Sequence, residues 1–168
     1  PACSGKDLAD AVPGLGDIAP LEFVQFSNIA SPGMTPQNMW DLHCKIEELL
    51  ARDDVAGVVV THGTDTLEET SFFLDITAKS QKPVVCTAAM RGASDISPDG
   101  PYNIYCSVKT AASPQAVGMG VMVCLDEILQ APGEVMKTHS ANPATFQSPW
   151  WGPIGYVDID HIVWRRMV

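Results

Sequence analysis

At 168 residues, with 46% hydrophobic and only 18% charged side chains, the chain fits one globular domain over residues 1–168 with a sizeable core. A formal net charge of −10 and the lack of any Lys/Arg cluster argue against nucleic acid or an anionic membrane surface as partner. No apolar run approaches the ~20 residues that cross a bilayer, and the first residues lack a basic-then-apolar leader pattern, so a soluble, cytoplasmic protein is expected. The five cysteines, Cys3, Cys44, Cys86, Cys106 and Cys124, are odd in number and widely spaced, which reads as free thiols rather than a disulfide framework or a zinc site.

In chain order, Ser4 can cap a short helix through Val12 that Pro13-Gly14 ends, and Leu21-Glu-Phe-Val-Gln-Phe26 alternates as a strand does. Asn28 to Gly33 reads as a loop. Thr35 followed by Pro36 is a helix start, and Met39, Leu42, Ile46, Leu49 and Leu50 give that helix one apolar face. Val55 to Val60 is apolar on both parities, as expected of a parallel strand covered on both faces and lying mid-sheet. Thr66 to Lys79 reads as a helix with Thr66 and Glu69 at capping-box spacing. Val84 to Thr87 is a strand, Arg91 to Pro101 a loop, Tyr102 to Ala112 a helix and Gly118 to Leu125 a further strand. The alternation predicts an α/β fold with a mostly parallel, doubly wound sheet. Past Asp126, the segments Ile128 to Thr138, Trp151 to Val157 and His161 to Met167 read as extended, forming hairpins at one edge.

In such a sheet ligands bind beyond the carboxyl ends of the strands, where this chain places Thr61-His-Gly-Thr-Asp-Thr66. Gly63 permits a tight turn, the hydroxyls of Thr64 and Thr66 can face a ligand, and Asp65 near a helix N-terminus can hold an ammonium group. On local chemistry alone these residues read equally as turn and cap residues, and Lys137 as a solvated surface charge. His62 reads as a structural hydrogen-bonding residue, since no second ligand stands at metal spacing. Gly118-Met-Gly120 lacks the third glycine of a dinucleotide loop. No metal or organic cofactor is implied.

His62-Gly-Thr-Asp-Thr66 followed by Glu68-Glu-Thr70 is similar to a signature of the bacterial-type asparaginase and glutaminase family. The likeness continues through Lys82-Pro-Val-Val85, Ala89-Met-Arg91, Asp99-Gly-Pro-Tyr-Asn103, Lys137-Thr138, Ala144-Thr-Phe146 and Gly152-Pro-Ile-Gly-Tyr156, and upstream Asn28-Ile-Ala-Ser-Pro-Gly-Met34 resembles the substrate loop. The resemblance implies an amidohydrolase that converts L-asparagine, with L-glutamine as a second substrate, to the acid and ammonia through a threonine nucleophile. It implies that Thr64 is the second catalytic threonine, that Asp65 binds the substrate α-ammonium and that Lys137 completes their group. It further implies that Ser31 holds the α-carboxylate, that the Ala89 backbone carbonyl faces the scissile amide, and that the protein is a homo-oligomer, a dimer or tetramer.

Two family features are not found in these residues: a first strand carrying Thr-Gly-Gly-Thr-Ile, whose first threonine is the principal nucleophile, and the smaller C-terminal domain. Pro32 stands where secreted relatives often carry Gln. Three expectations follow: a fragment of a longer enzyme, a short enzyme in which Lys137 deprotonates Thr64, or an amino-acid-binding remnant without turnover. A different class, the ammonia-generating subunit of a tRNA-dependent amidotransferase, is disfavoured by the acidic charge.

Overall fold

The helix that Thr35 opens forms as its sequence predicts. The Thr35 hydroxyl accepts the Asn38 N–H at 3.2 Å, the Asn38 side-chain oxygen accepts the Thr35 N–H at 3.0 Å, and Pro36 occupies the first turn, where no N–H is needed. The protein is described by a computed structural model that covers Asp7 and residues 10–167. The expected Ser4 cap and Cys3 lie outside the described residues. Along the chain come α1 (Leu15–Ile18), α2 (Pro36–Leu50), β1 (Val58–Thr61), α3 (Leu67–Thr77), β2 (Val84–Thr87), α4 (Gly100–Ala111) and β3 (Val121–Leu125). They are followed by β4 (Ile128–Gln130), β5 (Met136–Lys137), β6 (Phe146–Gln147), β7 (Gly155–Val157) and β8 (Ile162–Trp164).

Six strands form one sheet in the order β1-β2-β3-β4-β7-β8, and β5 pairs β6 in a separate hairpin. β1, β2 and β3 are parallel; β4, β7 and β8 continue the sheet as antiparallel strands. The α/β sheet with an edge hairpin region toward the C-terminus is therefore present as expected. The β3–β4 connection is a two-residue turn, Asp126-Glu127, both left-handed with φ of 52° and 65°, as a tight hairpin of this twist requires.

Alternation along the parallel strands divides the core between two helical layers. Val58, Val60, Val84, Cys86, Val121 and Val123 face α2 and α3. Val59, Val85, Met122 and Cys124 face the other way, toward α4 and the antiparallel strands. The buried Cys86 and Cys124 behave as small apolar side chains, and burial pushes both thiols well above the ordinary range.

Three expectations are corrected. Val58–Thr61 stands at an edge of the described sheet rather than mid-sheet; helices cover both of its faces there, so the apolar pattern is the same in either position. Leu21 to Phe26 joins no described ladder, and Leu21, Phe23, Val24 and Phe26 remain exposed, because no described strand pairs with the segment. Between that segment and the open side of β1 lies a slot of about 660 Å³, lined by Phe23, Val24, Phe26, Ile29, Val58 and Val60 among others. Thr66 precedes α3 but makes no side-chain cap, for a reason that belongs to the site.

Candidate active site

β1 delivers Thr61 to the carboxyl end of the sheet, and the next five residues turn back into α3. The turn is built against Ser31, which is 7% exposed in a short 3-10 turn. The Asp65 N–H donates to the Ser31 hydroxyl at 3.2 Å, and the Thr66 hydroxyl donates to the Ser31 carbonyl at 2.8 Å. Thr66 thus ties two loops together instead of capping its helix. Gly63 is required by proximity: a Cβ at this position would lie 2.5 Å from the Ser31 hydroxyl oxygen and 2.8 Å from its Cβ.

Lys137 reaches the same turn from 73 residues away in sequence. Its Nζ donates to the Thr64 hydroxyl at 2.8 Å and to Asp65 Oδ1 at 2.9 Å. The Lys137 side chain is mostly covered while Asp65 is exposed, so the carboxylate faces solvent with the amine behind it. Glu68, in the first turn of α3, accepts the Lys137 backbone N–H and fastens β5 to the helix. Thr138 braces the hairpin further, its N–H and its hydroxyl each donating to the Thr145 carbonyl at 2.8 Å. Lys137, which the family resemblance assigns to this group although its local sequence reads as surface, is therefore held at a fixed place by the Glu68 carboxylate and by the pairing of its hairpin.

His62 lies beneath the turn. Its Nδ1 donates to the Gly63 carbonyl at 2.8 Å, which leaves Nε2 to accept from the buried Thr70 hydroxyl at 3.1 Å. Burial lowers its pKa from the ordinary 6.5, only partly opposed by the Gly63 hydrogen bond and the Glu69 charge. The unfolded chain takes up this proton near pH 6.5 and the folded chain resists it, so the stability of the neutral ring is whole above about 6.5 and is lost as pH falls from there. Denaturant midpoints should fall on acidification below that pH, with a shallower slope in His62→Gln. Parallel curves for the two proteins would remove His62 from the account.

Of the five residues expected in the site, Ser31, Thr64, Asp65 and Lys137 are joined by one set of hydrogen bonds. Ala89 stands apart, exposed just past the end of β2, whose Thr87 is the register partner of Thr61. No hydrogen bond among the described residues links it to the others. The sequence marks Glu68 only as an acidic residue in a first helical turn, a signal for dipole pairing and not for a grip on a distant backbone. The described residues hold no group of three or more His, Cys, Asp or Glu arranged to bind a metal, and none of their helices is long and apolar enough to cross a membrane.

Comparison with known proteins places this geometry among relatives. The family profile for the N-terminal part of asparaginase matches residues 1–168. L-asparaginase 2-1 of Saccharomyces cerevisiae is 42% identical over 157 residues, covering 94% of this chain and 43% of the yeast protein. Glutaminase-asparaginase of Pseudomonas fluorescens is 38% identical over 162 residues, covering 96% of this chain and 44% of that protein. The crystal structure of a probable cytoplasmic L-asparaginase from Campylobacter jejuni superposes with a TM-score of 0.94 at 40% identity, covering 98% of this chain and 52% of that one. The chain thus spans less than half the length of these two curated relatives.

Proposed function

The chain belongs to the asparaginase family, and we propose that the full-length protein hydrolyses the side-chain amide of L-asparagine, with L-glutamine as a second substrate. The observation that carries this reading is Lys137 Nζ, in hydrogen-bond contact with both Thr64 Oγ1 and Asp65 Oδ1. Without substrate, Asp65 balances the Lys137 ammonium. A substrate α-ammonium arriving at Asp65 competes with Lys137 for that carboxylate and frees the amine of its ion pair; in its neutral form the amine is the base for the next step. The neutral amine accepts the Thr64 hydroxyl proton as the oxygen attacks the amide carbon. An ester forms, the C–N bond breaks, and the proton on Lys137 passes to the departing nitrogen as ammonia. Water then cleaves the ester, releasing aspartate and restoring the hydroxyl. Ser31, buried beside the turn, is placed in this reading against the α-carboxylate.

The slot beside β1 favours a second reading of the attacking group. Phe23, Val24, Phe26 and Ile29 line one side of it and β1, which has no partner there among the described residues, bounds the other, so it accepts one further extended segment. A hydroxyl on that segment, close to Thr61, would attack in place of Thr64, with the Thr64–Lys137 pair moving the proton. The homo-oligomer belongs to the same proposal and draws on the family alone.

A coupled ammonia assay on the full-length protein, run beside a calorimetric titration with asparagine, tests the function. Ammonia release with saturable binding is expected. Binding without ammonia would replace the hydrolase with an amino-acid-binding protein, and absence of both signals would overturn the proposal. Intact mass of an acyl intermediate trapped by rapid acid quench, followed by peptide mapping, separates Thr64 from another attacking residue.

A further inference from the structure

The segment after β2 is held more firmly than a surface loop requires. Asp99 stands at the N-cap of α4, but its carboxylate makes no cap to its own helix. Instead its two oxygens accept the Met90 N–H at 3.1 and 3.0 Å, and Oδ1 also accepts the Arg91 N–H at 2.9 Å. Asn103, one turn further along α4 and 2% exposed, donates Nδ2 to Asp99 at 3.2 Å and to the Ala88 carbonyl at 3.0 Å. Its Oδ1 accepts the Asp126 N–H at 2.9 Å, so this one side chain spans the ends of β2 and β3. Gly100 completes the enclosure, since a Cβ there would sit 3.3 Å from the Ala89 methyl.

These contacts fix the direction of one carbonyl. In a trans peptide the C=O and the N–H of the same unit point to opposite sides. With the Met90 N–H turned onto Asp99, the Ala89 carbonyl is aimed away from Asp99, and no hydrogen bond among the described residues ends on its oxygen. Such an oxygen only accepts. An amide –NH2 offers it two donors, whereas a carboxylate offers none and meets it with repulsion.

We propose that Asp99, backed by Asn103, is a positioning residue that presents the Ala89 carbonyl to the –NH2 of a bound side-chain amide and so separates the amide substrate from its carboxylate product. This rests on the amidohydrolase reading above. It adds residues that touch no substrate and act through a backbone group.

The test compares two ligands in the full-length protein. Asp99→Ala should lower kcat/KM for L-asparagine about 5- to 10-fold, the worth of one well-placed hydrogen bond, with the inhibition constant of L-aspartate within about 2-fold of wild type. Asp99→Asn keeps one acceptor oxygen and should recover part of the loss; if Asp99→Ala fails to fold, Asp99→Asn is expected to show the same selectivity on a smaller scale. Equal weakening of asparagine and aspartate would overturn the positioning role while leaving the hydrolase reading intact. A wild-type protein that neither binds nor hydrolyses asparagine would overturn both.

Discussion

Replacing Lys137 with methionine is expected to lower ammonia release from asparagine by about 10³-fold in the full-length protein, within the range for loss of a positioned proton-transfer group. Methionine keeps much of the stem and removes the amine, so the Thr64 hydroxyl loses its hydrogen-bond donor and Asp65 its cation. Stability should change little, because the Asp65 partner is exposed and solvent screens such a pair to about 1 kcal/mol or less. Circular dichroism and a urea curve check that the fold persists. A Thr64→Val, Lys137→Met double variant should be scarcely worse than either single one, since the two act on one proton. Losses that multiply would mean the two residues serve separate steps, and the Thr64–Lys137 pair would have to be abandoned as a unit.

Gly63→Ala should do harm by a different route, through binding and stability rather than proton transfer. The added methyl meets the Ser31 hydroxyl at 2.5 Å and the Ser31 Cβ at 2.8 Å, and Ser31 has little room to yield, being tied to Asp65 and Thr66. Overpacking of this kind costs about 1–3 kcal/mol. The asparagine KM should rise by ~10-fold or more, because both the serine and the Asp65 backbone are displaced. Adding Ser31→Gly removes the clash. It should restore the denaturation midpoint without restoring KM, whereas full recovery of KM would show that Ser31 makes no contact with substrate.

The features legible from residues alone are those set by local chemistry and by which faces are covered. Thr35-Pro36 announced a helix start, and the doubly apolar Val58–Val60 and Val84–Cys86 announced strands between two helical layers. Neighbour relations were not legible. The pattern at β1 reports that both faces are covered and says nothing about which edge has a partner, so it does not distinguish a middle strand from an edge strand. Leu21 to Phe26 carries a strand's alternation without a strand's ladder, since hydrogen bonding across a sheet depends on a second segment. Thr66 has the spacing of a cap and spends its hydroxyl on Ser31, 35 residues away, a competition that no local window contains. For the same reason the Thr64–Asp65–Lys137 contact came from family likeness, and the work of Asp99 and Asn103 within a quoted motif became visible only once the strand ends were in place.

The open side of β1 bears on how these residues behave when produced by themselves. Among the described residues no strand pairs with the outer side of Val58-Val-Val60, and no lysine or proline inside the strand blocks pairing of its peptide groups there. Opposite it stand Phe23, Val24, Phe26 and Ile29, whose side chains are exposed. Two molecules that meet along this border can each extend the other's sheet, so concentrating isolated residues 1–168 drives self-association toward fibrous or amorphous material. Long-range repulsion from the net charge of −10 opposes that encounter, and added salt screens it. Low ionic strength and dilution are the conditions under which the isolated chain should stay dispersed.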